Sequence, residues 1–114
     1  MSIIANLEAL LSRGQDTALL RYSLGGEYLK AERIELALTH LAEAVRLDPG
    51  YSADWKLYGK TLAAACQAEA AIAAFDRGIT VAESKGDAQA AKEMRVFRKR
   101  AQRAIESGDW SDTG

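Results

Sequence analysis

Apolar residues recur along this chain at three- and four-residue intervals, the spacing of one face of an α-helix. Ile3, Ile4, Leu7, Leu10 and Leu11 form a first stripe. Gly14 then supplies a stop, and Asp16 is the expected N-cap of the next helix. From Thr17 to Lys30 the stripe is Leu20, Leu24 and Tyr28; from Ile34 to Leu47 it is Leu38, Leu41 and Val45. Asp48-Pro49-Gly50 ends that helix, because Pro cannot continue the hydrogen-bond ladder and Gly accepts left-handed geometry. Ser52 is expected to cap a helix reaching Cys66, and another runs from Glu69 to Ser84 with Ile72, Phe75 and Ile79 inward. Lys85-Gly86-Asp87 reads as a stop followed by a new cap, and a last helix spans Ala88 to Glu106. Residues 107–114 are short and polar and read as a frayed tail. Alternating β-branched runs are absent. The predicted fold class is therefore all-α, with five to six helices whose short linkers make consecutive helices antiparallel.

Shifted by 34 residues, the apolar frame overlays itself. Gly25 meets Gly59, Ala37 meets Ala71, Leu41 meets Phe75, Ala44 meets Gly78 and Val45 meets Ile79. Small residues fall on small and large on large. Gly25 and Gly59 are expected where the two helices of a pair cross, since only small residues allow close approach, with Leu41 and Phe75 filling the space beside them. One such hairpin cannot bury its own stripe, so neighbouring elements must cover it. A 35-residue shift carries Trp55, Gly59, Leu62 and Cys66 onto Ala90, Met94, Phe97 and Ala101, which makes the last helix a cap. Leu7, Leu10 and Leu11 can cap the first pair in the same way, with a partner-binding helix as the alternative for residues 2–13.

The first unit reads Leu24-Gly25-x-x-Tyr28, then Ala37-x-x-x-Leu41, then Ala44 and Pro49; the second reads Trp55-x-x-Tyr58-Gly59, then Ala71-x-x-x-Phe75. This resembles the tetratricopeptide-repeat family, over residues 17–84 with a looser echo to Ala101. Arg21 stands where the first Trp of the pattern would be, and Glu83 where a second Pro would be, so the helix that begins at Glu69 should run on before Gly86. The expected organisation is one helical domain over residues 1–106: an N-terminal helix (1–14), repeats at 17–50 and 51–84, and a capping helix (87–106).

Charge and chemistry refine this picture. The chain of 114 residues carries a net charge of −1, yet residues 85–106 hold seven Lys/Arg against three Asp/Glu. The basic excess is thus confined to one C-terminal segment. Cys66 is the only cysteine and His40 the only histidine. His40 is expected to face solvent and Cys66 to be a small buried residue, so neither forms a metal or nucleophile site. The glycines at 25 and 26 follow no strand and make no phosphate loop. No enzyme motif is present, and no cofactor or metal is expected. A lone cysteine suits a reducing, cytoplasmic setting. The N-terminus lacks the basic start of a signal peptide, and no apolar run is long enough to cross a membrane.

The resemblance implies a protein-binding module, an adaptor or scaffold, in which the first helix of each pair lines a concave groove that takes extended peptides. Its implied lining is Leu19, Tyr22, Leu29 and Lys30 from the first repeat, Lys56 and Lys60 from the second, and Arg95, Arg98 and Lys99 from the capping helix. Ala91 is expected on the same surface. These cations point to an acidic protein or peptide segment as partner. Some family members clamp the terminal carboxylate of chaperones. The matching places here hold Tyr22, Gly26, Leu57, Ala88 and Lys92, of which one fits, so that activity is not carried over. The alternative is a structural subunit of a homo-oligomer or larger assembly; nucleic acid and membrane are not expected partners, and the chain is expected to be a monomer or weak homodimer.

Overall fold

A computed structural model describes residues 2–108; the expected tail lies largely outside them. The described residues form α1 (Ile3–Ser12), α2 (Ala18–Lys30), α3 (Ile34–Leu47), α4 (Ser52–Ala64), α5 (Ala68–Ser84) and α6 (Ala88–Ser107), with no strand. They divide after Gly50 into two compact units.

In the first unit α2 and α3 form a closely packed hairpin, and α1 lies on α2. Ser2 Oγ caps α1 by accepting from Ala5 N at 3.1 Å, and Thr17 Oγ1 caps α2 by accepting from Leu20 N at 3.1 Å. Thr17, not Asp16, is therefore the cap; Asp16 instead accepts two hydrogen bonds from the Arg21 guanidinium, at 2.7 and 3.0 Å. Leu20, Leu24, Tyr28 and Ala37 are buried, and Ile4, Leu7, Leu10 and Leu11 of α1 pack against them. Gly25 sits where a Cβ would strike the Leu41 side chain, so the absent side chain is what lets α2 and α3 approach.

His40 contradicts the expectation of a solvent-facing side chain: only 6% of it is exposed. The repeat itself supplies the reason. Arg21 and His40 occupy the places that Trp55 and Ala74 hold in the second repeat. A smaller residue where the Trp would be leaves room, and the imidazole fills it. His40 stacks on Tyr28, ring centroids 5.5 Å apart and 4° from parallel. Arg21 Nη1 lies 3.1 Å from His40 Nδ1, and Glu8 Oε2 reaches to 3.7 Å from His40 Nε2. Tyr28 Oη donates to Glu8 at 2.5 Å, so one α1 carboxylate ties that helix to two buried rings.

In the second unit α5 packs on both α4 and α6, and α4 also touches α6. Ser52 is the first helical residue rather than the cap; Tyr51 holds the cap position without a side-chain hydrogen bond. A Cβ on Gly59 would lie 2.5 Å from Phe75 Cε1, the crossing that the sequence pattern implies. Gly78 provides a second close approach, against Met94 of α6 and Trp55 of α4. Met94, Ala91 and Ala101 are buried, and Phe97 stacks on Phe75 with centroids 5.9 Å apart. Ala91 thus belongs to the packing face and not to an open surface. With Glu83 in place of Pro, α5 runs 17 residues against 14 for α3.

Cys66 also departs from expectation. It is exposed, in left-handed backbone at φ 61°. Glu32, 34 residues earlier, has φ 59°. Both follow a helix end in the same way: Arg33 N donates to Tyr28 O, and Gln67 N donates to Leu62 O, each at 2.9 Å. The repeat extends to the backbone of its turns, so Cys66 closes α4 from outside the helix instead of ending its buried face.

Candidate functional site

The candidate lining residues of the first unit separate into different surroundings. Leu19 is 75% exposed. Tyr22 is half-buried. Leu29 packs against the buried cluster, and Lys30 pairs with Glu27 one turn earlier at 3.2 Å. Here the open apolar surface is Leu19, with Tyr22 beside it one turn on.

In the second unit the facing rows of α4 and α6 define a shallow trough. Lys56 Nζ donates to Glu93 Oε1 at 3.0 Å. That bond, with the Lys56 charge and Lys60 nearby, holds the Glu93 carboxyl below its ordinary pKa. One turn further along both helices, Lys60 Nζ lies 5.1 Å from the Phe97 ring centroid. Arg100 Cζ lies 5.5 Å from the same centroid. Neither Lys60 nor Arg100 has a carboxylate within 4.0 Å among the described residues. Beneath them Ala63, Phe75, Phe97 and Ala101 line a cavity of about 220 Å³. The trough continues past Val96 and the Lys56–Glu93 pair, through a widening of about 340 Å³, to a polar end of about 210 Å³ beside Ser52, Asp87 and Gln89.

Arg95 and Arg98 do not join this row. Arg95 pairs with Glu83 of α5, and Arg98 Nε donates to Asp76 of α5 at 2.6 Å. Lys99 is exposed, without an ion pair among the described residues. The cause is rotational register. Met94 inserts beside Gly78, and this brings Glu93, Phe97 and Arg100 opposite Lys56, Lys60 and Ala63, an offset of 37 residues. The 35-residue overlay of the sequence points two positions away, about 200° around the helix. Glu93 and Arg100 are therefore site candidates that the overlay misses. Their signal is the Lys56–Lys60–Ala63 spacing matched by Glu93–Phe97–Arg100, both i, i+4, i+7.

Among the described residues no group of His, Cys, Asp and Glu is arranged to hold a metal ion. None of the helices is long and apolar enough to cross a membrane. No protein-family model matches the chain. A curated relative does: the TPR repeat-containing protein PA0015 of Pseudomonas aeruginosa is 46% identical over 102 residues, covering 90% of this chain and 97% of its own length. The chain belongs to the tetratricopeptide-repeat family. Solved structures agree. The solution structure of protein BPP2914 from Bordetella parapertussis superposes with a TM-score of 0.78 at 41% identity, covering 95% of this chain and 96% of that one. A tetratricopeptide-repeat domain protein from Salinibacter ruber superposes with a TM-score of 0.74 at 27% identity, over 81% of this chain and 92% of its own. Tetratricopeptide-repeat proteins are generally protein-interaction modules rather than enzymes. In the second unit Lys60 and Arg100, without a carboxylate partner among the described residues, stand over an apolar floor.

Proposed function

We propose that this tetratricopeptide-repeat protein is a cytoplasmic adaptor whose α4–α6 trough binds an extended, acidic segment of a partner protein. The observation that carries the reading is the pair Lys60 and Arg100. Both flank an aromatic ring, neither is neutralised by a carboxylate among the described residues, and an apolar cavity opens between them. Of the other cations implied by the family resemblance, Lys30, Lys56, Arg95 and Arg98 are already bonded to Glu27, Glu93, Glu83 and Asp76, and Lys99 is absent from the trough lining. Partly exposed pairs exchange partners at little cost, so Lys56, which lines the trough, serves as a supporting contact, whereas Arg95 and Arg98 lie outside the trough lining. Leu19 and Tyr22 offer an apolar contact on the first unit.

Affinity capture with the full chain, followed by binding measurements on Lys60→Glu with Arg100→Glu, tests this reading. Both side chains are exposed, so the helical signal should be unchanged while binding falls at least tenfold at low salt, about 1.4 kcal/mol. A partner that binds the charge-reversed protein as tightly as the original would place the contact surface elsewhere.

The second reading, a structural subunit of a homo-oligomer, draws on exposed Leu19 and Ile3. It requires mass to rise with concentration in light scattering, and Leu19→Glu to return the chain to a monomer.

A further inference from the structure

The trough has an internal polarity that narrows the kind of segment it can take. Only one end is apolar: the cavity floored by Phe75, Phe97, Ala63 and Ala101. An engineered cavity of about 150 Å³ suffices for a benzene ring, so a cavity of about 220 Å³ has room for a single leucine- or phenylalanine-sized side chain. Lys60 and Arg100, with no carboxylate partner among the described residues, stand on its two rims. At the opposite end the lining includes Lys56, bonded to Glu93, and Asp87, whose carboxylate caps α6 by accepting from Ala90 N. Carboxylates of a bound segment therefore gain partners beside the apolar cavity, whereas at the far end the one lining cation, Lys56, is already bonded to Glu93.

The trough's length fixes how the segment lies. Ser52 to Ala63 spans about 16 Å of helix at about 1.5 Å per residue. An extended chain covers that distance in about five residues at about 3.3 Å each. Two helix flanks form the trough, so a chain can enter and leave at both ends and needs no free terminus.

Resting on the reading of the α4–α6 trough as the recognition face, we infer that its ligand is an internal, extended peptide segment. One large apolar residue fills the Phe75–Phe97 cavity, and an Asp or Glu immediately beside that residue bridges Lys60 and Arg100. Acidic residues three or four places away toward the Asp87 end do not substitute. Apolar burial holds the segment, and the adjacent carboxylate sets its register.

The test uses terminally blocked peptides titrated into the isotopically labelled full chain and followed by NMR: Gly-Asp-Leu-Asp-Gly-Gly-Gly, the same peptide with Asn for both Asp, the same with Ala for Leu, and Gly-Gly-Leu-Gly-Gly-Asp-Asp. The first should shift the amides of Lys60, Ala63, Phe97 and Arg100 and bind about tenfold more tightly than each of the other three. Ala63→Phe, which fills the cavity from its own lining and leaves Phe75, Phe97 and Ala101 in place, should remove binding. Lys60→Gln with Arg100→Gln should reduce the Asp peptide to the level of the Asn peptide. Equal affinity for all four peptides, or shifts confined to other helices, would overturn the inference. A captured partner that needs Lys60 and Arg100 but is not displaced by the Asp-Leu-Asp peptide would overturn it alone; a partner indifferent to both charges would overturn the reading beneath it.

Discussion

The His40 side chain shows how one substitution in a repeat propagates. Arg21 replaces a Trp, His40 then fills the gap, and Glu8 of α1 completes the cluster. Burial pushes the imidazole pKa down, opposed by the Glu8 carboxylate and reinforced by the Arg21 charge; Asp16 adds a weaker upward pull. The folded chain therefore takes up this proton less readily than the unfolded chain does. Above the unfolded value of about 6.5 both forms are neutral and the stability is complete; it is lost as pH falls from there through the depressed folded value. Thermal melts between about pH 7.5 and about pH 5.5 should show a falling Tm, and His40→Gln, which does not titrate, should flatten that decline. An identical pH profile in the two proteins would show that His40 carries no charge-linked stability. A second residue-scale contrast lies in α6. Met94 is fully buried beside Gly78 and Trp55, whereas Phe97 is only half-buried. Met94→Ala should cost about 3 kcal/mol, and Phe97→Ala roughly half the 3–5 kcal/mol of a buried Phe. Urea denaturation that ranks them the other way would move the anchor of α6 to Phe97.

Among the elements, the helix ends carry the clearest record of the repeat. Glu32 and Cys66 both accept left-handed backbone, a conformation that costs a non-glycine residue about 1 kcal/mol. Gly14, Gly86 and Gly108 fill the comparable places after α1, α5 and α6. Cys66→Gly should thus raise stability by about 0.5–1 kcal/mol in denaturant titrations, and a loss of stability would contradict the left-handed assignment. The helices themselves were legible because apolar spacing and stop signals coincide; Ile34–Leu47 falls where periodicity and the Asp48-Pro49 stop put it. The crossings at Gly25 and Gly59 were legible for the same reason: small residues recur at the repeat interval. The end of α4 was not, because its closing residue is a Cys, which carries no turn signature. His40 was not, because its burial depends on Arg21 and on Glu8, 32 residues earlier in the chain. Of the site, Lys56 and Lys60 were readable from their spacing on α4. Glu93 and Arg100 were not, since the rotation of α6 is set by Met94 seating against Gly78, a contact between helices that periodicity within one helix does not contain.

For the chain as a whole, charge is segregated although the total is only −1: residues 1–84 carry eight Lys/Arg against eleven Asp/Glu, and residues 85–106 reverse the balance. Two of the seven C-terminal cations, Arg95 and Arg98, pair with carboxylates of α5, while Arg100 faces an apolar opening together with Lys60 of α4. A partner held there should bind faster and tighter at low ionic strength, and more weakly once the screening length falls below about 10 Å near 0.1 M salt. The most direct test of the trough as the recognition face is amide shift mapping of the captured partner on the labelled chain. The account predicts that the largest changes fall on Lys56, Lys60, Ala63, Phe97 and Arg100; changes confined to α1–α3, or to the exposed side of α5, would contradict it.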